Sequence, residues 1–98
     1  LAVAVIEVQK PSDKIPAVEM TYAAGAACLA LLNAALAAGW GANWLSGWPS
    51  HDRGFCAEAL ALADNETVAG LIHIGTESAT PPDRPRPDLA AVTTWVSA

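Results

Sequence analysis

The side chains that most often carry out acid–base, nucleophilic or metal chemistry are few and scattered along this 98-residue chain. Its two histidines, His51 and His73, have no cysteine or carboxylate nearby at the spacing of metal ligands. The ten carboxylates form no pair suited to general acid–base catalysis, and no serine lies in a nucleophile-elbow sequence. Walker, GxGxxG and HExxH motifs are also absent from the sequence. These residues therefore predict neither a catalytic side chain nor a metal site.

The two cysteines, Cys28 and Cys56, lie far apart in the sequence and share no CxxC spacing. This usage is typical of a reducing compartment and of a protein without a disulfide framework. Cys28 lies inside a long apolar run, where a cysteine packs as a small hydrophobic side chain. We therefore expect a cytoplasmic protein in which Cys28 belongs to the core.

The composition is that of a small domain with more apolar surface than it can bury. Hydrophobic residues make up 53% and charged residues only 15% of the chain, against about 45–50% and 25% in typical domains. Excess apolar surface of this kind is normally covered by a partner or by the rest of a larger fold. The net charge of −5, with only five basic residues, excludes the basic surface that nucleic-acid binding needs.

The longest apolar stretch runs from Glu19 to Trp48 and carries no charged side chain after Glu19. It predicts a helix over about Ala17 to Ala38, roughly 33 Å long, which ends at Gly39 and Gly41. Alanine recurs on every side of this helix, and its larger side chains form no single stripe. We therefore expect a buried helix with contacts on more than one face, including contacts with a second copy of the protein.

A membrane-spanning helix is the alternative interpretation of this stretch, since its charge-free run is long enough to cross a bilayer of about 30 Å. The run is rich in alanine rather than in leucine and isoleucine, contains Asn33, and is broken by Gly39 and Gly41. No basic cluster flanks it to set an orientation in the membrane. We therefore expect no membrane association.

The remaining pattern predicts strands over residues 1–8 and 66–75, a strand that enters a loop over residues 42–48, and a second helix over about residues 52–63. Ser50 or Asp52 is expected to cap that helix. Four of its side chains are expected to point inward: Phe55, Ala59, Leu60 and Ala63. Alternate residues of the last strand should share one face: Val68, Gly70, Ile72 and Ile74. A proline-rich loop over residues 76–87 and a tail with apolar residues follow.

Several short motifs, in their order along the chain, resemble the C-terminal half of the flavin-dependent nitroreductase family, and in particular its small bacterial NAD(P)H branch. Along the chain come a strand, a turn with proline and a long helix. A Gly-aromatic-Gly motif and a Trp-x-Ser-Gly motif follow, and then a helix, a strand and a Gly-Thr pair. The matching segments are Lys14-Ile15-Pro16, Ala24-Gly25-Ala26, Asn33 to Gly39, Trp40-Gly41, Trp44 to Gly47 and Val68 to Thr76. The resemblance covers nearly the whole chain.

The resemblance implies an α+β fold in which a long buried helix packs on a mixed β-sheet. It also implies a homodimer, formed through the alanine-rich helix and the C-terminal tail, with FMN at the subunit interface. The residues that it places at FMN after the second strand are Trp44, Leu45, Ser46 and Gly47. The residues that it places at the nicotinamide nucleotide, NAD(P)H, are Ala34, Ala35, Leu36, Ala37, Ala38 and Gly39.

The resemblance further places basic residues of the loop after the last strand near the FMN phosphate. Arg84 and Arg86 occupy that position. A guanidinium group suits a phosphate because it presents a planar fork of hydrogen-bond donors. The alternative is that both arginines are solvated loop residues.

Three departures from the family pattern affect what this chain can do. Family members begin with an Arg-Arg-Ser-type segment that holds FMN, and no such segment stands here. Leu45 stands where close relatives carry arginine. The chain also opens directly into a strand, so we interpret Leu1 as an internal position. Residues 1–98 are thus expected to be the C-terminal part of one nitroreductase-like domain, whose partner is the missing N-terminal half.

The implied function is an FMN-dependent oxidoreductase that transfers hydride from NAD(P)H, through the flavin, to nitroaromatic, quinone or related acceptors in a ping-pong order. The cofactor carries this chemistry, so no side chain of the chain is named as catalytic. The alternative is a non-enzymatic dimerisation domain derived from the same fold and inactive as a fragment.

Overall fold

One three-stranded sheet with a long helix packed against it forms the centre of the computed structural model, which describes residues 1–97. The strands are β1 (Ala2–Val8), β2 (Gly41–Leu45) and β3 (Glu66–Gly75). The helices are α1 (Ala17–Ala37), α2 (Trp48–His51), α3 (Arg53–Leu60) and α4 (Leu89–Val92). The predicted α+β fold is confirmed, and the predicted bounds of α1, β1 and β3 agree to within one residue.

The central strand is β3, which lies between β1 and β2. Both pairings are antiparallel, and Ile72 of β3 lies opposite Val3 on one side and Trp44 on the other. The strands β1 and β2 are therefore parallel to each other, with β3 inserted between them, as in a split β-α-β unit. We expected a mixed sheet, whereas the sheet within residues 1–97 is antiparallel throughout.

The core lies between α1 and β3. Cys28 of α1 and Ile72 of β3 are fully buried, and Ala35 and Val68 are nearly so. Alternate residues of β3 face α1, as predicted, and small residues on α1 allow the helix to lie close to the sheet. Cys28 is confirmed as a core residue, and its burial raises the pKa of its thiol.

The outer side of α1 is uncovered within residues 1–97, although we expected a helix buried all round. Four large apolar residues, spaced so that they lie on one side of the helix, are about half exposed or more: Val18, Tyr22, Leu29 and Leu36. By length and composition alone, α1 is also the one helix in the described part of the chain that could span a membrane. In this structure it contacts all three strands of the sheet.

The segment after β2 agrees in part with the prediction of a strand that enters a loop over residues 42–48, but its last residue is helical. The strand β2 ends at Leu45, and Trp48 already begins the short helix α2. Gly47 makes this turn with a φ of 93°, a left-handed conformation that glycine adopts without a steric penalty.

The N-terminus of α3 is capped by Asp52, whose carboxylate accepts a hydrogen bond of 2.8 Å from the backbone N–H of Phe55. This is the side-chain cap that the sequence predicted. Ser50, the other candidate, lies within α2 and is buried, so it does not cap α3.

The helix α3 is shorter than predicted, because Ala61 adopts a left-handed conformation with a φ of 54° and ends it at Leu60. Ala59 and Ala63 were expected to point inward but are exposed. Phe55 and Leu60, also expected to point inward, are half-buried, and the fully buried residue of this helix is Cys56.

The tightest packing in the core lies at Gly70 of β3, under the indole ring of Trp44. A Cβ atom at Gly70 would overlap Nε1 of Trp44 and lie only 3.0 Å from Sγ of Cys28. The far edge of the same ring faces α1 at Gly25, where an added Cβ would lie 4.0 Å from Cη2 of Trp44. Glycines on the helix and on the strand thus make room for the indole between them.

Replacing Gly70 by alanine is therefore expected to lower the free energy of unfolding by about 1–3 kcal/mol, the usual cost of an overpacked core. The measurement is urea unfolding of the full-length protein that contains this chain. Gly75→Ala, in the same strand, is the control, because an added Cβ there meets no atom within 4 Å. Equal stability of the two variants would contradict the close contact at Gly70.

Glu7 joins three elements at the other end of the sheet. Its carboxylate accepts hydrogen bonds from the Thr21 hydroxyl of α1 at 2.7 Å, from the Thr67 hydroxyl of β3 at 3.3 Å, and from the side-chain amide of Gln9. These donors, with the Thr21 hydroxyl first, hold the pKa of Glu7 below its ordinary value. The ionised carboxylate is thus the form that ties α1 to the sheet.

A carboxyl group whose pKa is lowered by folding stabilises the protein above its unfolded-state pKa, and this stabilisation is lost as the pH falls through its folded-state pKa. Glu7→Gln is therefore expected to lower the free energy of unfolding at pH 7. The difference from wild type should shrink below the ordinary carboxyl pKa of 4.5. The stability difference is measured by urea unfolding at pH values from about 3 to 7, a range that spans the pKa of a carboxyl group. Glu58→Gln, on the exposed side of α3, is the control. A constant difference over the whole range would contradict the role of the ionised form.

Candidate functional site

The face of the sheet opposite α1 carries a polar pair of side chains. Asn43 of β2 lies directly across from His73 of β3, and both residues are exposed. Trp44 and Ile72, the next residues along, pair with each other on the α1 side, so that Asn43 and His73 must lie on the other face. Side chains that are paired in this way have Cβ atoms about 5 Å apart.

Two clefts meet at Asn43. The first is an open cleft of about 430 Å³ at the end of β3, and its polar side chains are those of Asn43, His73, Thr76, Glu77 and Ser78. The second, of about 320 Å³, lies between β2 and the proline-rich loop. Both clefts are lined by Ala42, Asn43 and Pro81, so they adjoin each other beside the edge strand, and together we call them the groove.

Both arginines that the sequence singled out line the second cleft. Arg84 and Arg86 lie there with Asn43 and Asp83, and a carboxylate oxygen of Asp83 is 4.0 Å from the Arg86 guanidinium. The side chains of Asp83 and Arg86 are both largely exposed, so this ion pair is weak. The cleft therefore carries two guanidinium groups against one carboxylate, which favours an anion such as a phosphate.

The link between β2 and α2 offers free backbone donors. The N–H groups of Ser46 and Gly47 donate no hydrogen bond within residues 1–97. Leu45, which is 42% exposed, precedes them on the same face of the sheet as Asn43. From Asn43 to Ser46 the chain advances by about 10 Å, at roughly 3.4 Å per strand residue. The arginine cleft thus lies beside Ala42 and Asn43, whereas the free donors follow the end of β2 and line neither cleft.

Trp44, which the resemblance also placed at FMN, is directed elsewhere. Its indole packs between Gly25 of α1 and Gly70 of β3, on the face opposite to Asn43 and Leu45. The structure thus places the side chain of Leu45 on the open face of the sheet and the side chain of Trp44 on the opposite face.

The residues that the resemblance placed at NAD(P)H form the last turn of α1 and the residues after it. Ala35 is buried, whereas the other five are exposed: Ala34, Leu36, Ala37, Ala38 and Gly39. This turn contains no basic side chain, and the C-terminus of a helix carries partial negative charge. It therefore offers a flat surface of small residues rather than a site for the nucleotide phosphates.

Asn43 and His73 belong to this site but are not among the site residues that the sequence predicts. The signal available was the alternation in Gly-Ala-Asn-Trp-Leu, which puts Asn43 on the same face as Leu45. Only the antiparallel register places His73 beside Asn43.

Comparisons with known proteins agree with this architecture. The model of the Nitroreductase family matches residues 2–76, more than half of the chain. The chain belongs to the Nitroreductase family. No curated protein matches it.

A solved structure, the crystal structure of the nitroreductase-like family protein from Bacillus cereus, is similar to this chain with a TM-score of 0.81 and 22% sequence identity. The match covers 99% of this chain and 51% of that protein, so this chain spans about half of its length. Identity at this level shows the fold, and the family indicates flavin-dependent oxidoreduction.

The groove fits the chemical groups of a flavin nucleotide. The guanidinium groups of Arg84 and Arg86 suit the terminal phosphate. The free N–H groups of Ser46 and Gly47 suit the acceptor atoms of a flavin ring, which needs donors from the protein. The arginines lie in the proline-rich loop, whereas the free N–H groups follow the end of β2, so the two sets of donors come from different segments of the chain.

Proposed function

We propose that this chain is the C-terminal half of an FMN-dependent oxidoreductase subunit, which transfers hydride from NAD(P)H to nitroaromatic, quinone or related acceptors. Membership of the Nitroreductase family supports the reaction class. The observation that carries the cofactor assignment is the pair of arginines in the cleft beside Asn43, together with the two free backbone N–H groups that follow β2.

Bound FMN supplies the hydride-transfer chemistry, with NAD(P)H and the acceptor using the site in turn. The chain contributes binding and orientation. Arg84 and Arg86 hold the phosphate, Ser46 and Gly47 donate to the ring from the backbone, and Leu45 provides an apolar surface beside them. The small residues at the end of α1, from Ala34 to Gly39, leave space in which the nicotinamide nucleotide can approach.

The cofactor assignment is tested by titrating the flavin-free full-length protein with FMN and with riboflavin, and by following flavin fluorescence. The double variant Arg84→Ala/Arg86→Ala is expected to weaken FMN binding about tenfold or more, since each hydrogen bond to a charged group contributes about 1.5–3 kcal/mol. Riboflavin, which lacks the phosphate, should bind the variant and the wild type equally.

Lys14→Ala is the matched control for this experiment, because Lys14 is an exposed cation outside both clefts. It should leave FMN binding unchanged. A full-length protein that binds neither FMN nor riboflavin would contradict the oxidoreductase and favour a non-enzymatic dimerisation domain.

We also propose that the exposed side of α1 and the C-terminal tail form a homodimer interface, and that the rest of the nitroreductase fold covers further apolar surface. The uncovered Tyr22, Leu29 and Leu36 of α1 support this, as does the tail, in which Trp95 is 91% exposed and Val96 93% exposed. A stripe of this kind on a helix is the usual contact surface for a second helix.

Leu29→Glu is expected to raise the dimer dissociation constant about a hundredfold or more, because an unpaired charge buried in an interface costs about 3–5 kcal/mol. Analytical ultracentrifugation of the full-length protein measures this. Ala57→Glu, on the exposed side of α3, is the control and should leave the constant unchanged. A monomeric wild type, or a protein that needs detergent to stay in solution, would contradict the proposed interface.

A further inference from the structure

A stripe of exposed apolar side chains runs along α1 and continues just beyond its end. Between residues 17 and 40, the large apolar residues that are about half exposed or more are these: Val18, Tyr22, Leu29, Leu36 and Trp40. We call them the α1 stripe. At about 100° per residue, Tyr22, Leu29 and Leu36 lie within about 40° of one another around the helix. Trp40 stays at the helix end, because its N–H donates to the carbonyl of Ala35 at 3.1 Å.

The spacing of the α1 stripe is the same from either end. Its residues are separated by four, seven, seven and four positions, so the stripe is symmetric about Leu29. A spacing of seven keeps side chains against a neighbouring helix that crosses at about 20°, as in coiled coils. A symmetric stripe is also self-complementary, because two antiparallel copies centred on Leu29 bring each large side chain against another one.

This symmetry favours antiparallel over parallel packing of two α1 helices. In a parallel pair each residue meets its own counterpart, and that arrangement works with any spacing. In an antiparallel pair the first residue of the stripe meets the last, so the spacing must be the same from both ends. The macrodipoles of antiparallel helices also attract each other, since the positive N-terminus of one lies beside the negative C-terminus of the other.

We propose that two copies of this protein pack through α1 in an antiparallel register, with Leu29 at the two-fold axis. Tyr22 of each copy then contacts Leu36 of the other, and Val18 contacts Trp40. This inference rests on the proposed homodimer and adds its geometry, namely which residues meet and in which direction the helices run. A two-fold axis through Leu29 gives both copies the same contact surface, as in most homodimers.

Cysteines placed on the stripe test the register by oxidation of the full-length protein with copper phenanthroline. Cys28 and Cys56 are buried, so they should give no covalent dimer. Leu29→Cys should give one, because the two copies of this residue adjoin. Tyr22→Cys alone should not, since its two copies would lie 14 residues apart along the helices, about 21 Å. The double variant Tyr22→Cys/Leu36→Cys should form a covalent dimer again.

Ala23→Cys is the matched control for the cross-linking. Ala23 is exposed and lies about 100° around the helix from Tyr22, away from the stripe. It should form no covalent dimer under the same conditions. Each variant should also unfold at the wild-type urea concentration, because the substituted side chains are about half exposed or more.

An exchange of charges is the second measurement. Tyr22→Glu and Leu36→Lys should each raise the dimer dissociation constant, measured by analytical ultracentrifugation, about tenfold or more. The double variant should recover most of the wild-type affinity, because antiparallel packing brings the opposite charges together at both ends of the stripe. Parallel packing would instead bring like charges together, and the double variant would then be the weakest dimer.

The outcomes distinguish this inference from the proposals on which it depends. If Tyr22→Cys cross-links alone, the helices run parallel, so the register is wrong and the homodimer stands. If the wild type is dimeric but Leu29→Cys does not cross-link, another surface forms the dimer and the inference is overturned. A monomeric wild type overturns the homodimer together with its register. The FMN assignment is unaffected by these results, because flavin titration tests it separately.

Discussion

The packing of Trp44 between α1 and β3 is the contact on which the rest of this structure depends. The indole lies over Gly70, beside the buried thiol of Cys28, and reaches Gly25 on the helix. These three small residues leave the space that the indole occupies over the centre of the sheet. Trp44 is 38% exposed, so most of this large side chain is covered by the contact.

This contact also sets the side of the sheet on which ligands can bind. Because successive residues of a strand point to opposite faces, an indole that is held on the α1 side forces Asn43 and Leu45 to the open side. A shift of one residue in the pairing of β2 would exchange the two faces, and the groove would lose its polar pair. Core packing and the geometry of the candidate site are therefore coupled through a single strand of five residues.

The surfaces left uncovered are as informative as the core. The outer side of α1, the open face of the sheet and the tail all present apolar side chains. Small domains bury too little surface to tolerate this alone. The similar solved structure is about twice as long as this chain. In our proposal, the rest of the nitroreductase fold covers part of this surface and a second copy of the protein covers the remainder. Glu7, which ties α1 to both β1 and β3, keeps the helix in register for those contacts.

The sequence by itself determined the elements and the family. Strong local signals were enough for this: the alanine-rich helix, the alternation in β3, the cap at Asp52 and the ordered glycine and tryptophan motifs. It did not determine the short helix α2 or the early end of α3, because these depend on left-handed turns at Gly47 and Ala61. Only the tertiary structure decided which residues meet. Asn43 and His73 are far apart in sequence and pair through the register of the sheet, and Trp44 faces the core because glycines on two separate elements leave room for it.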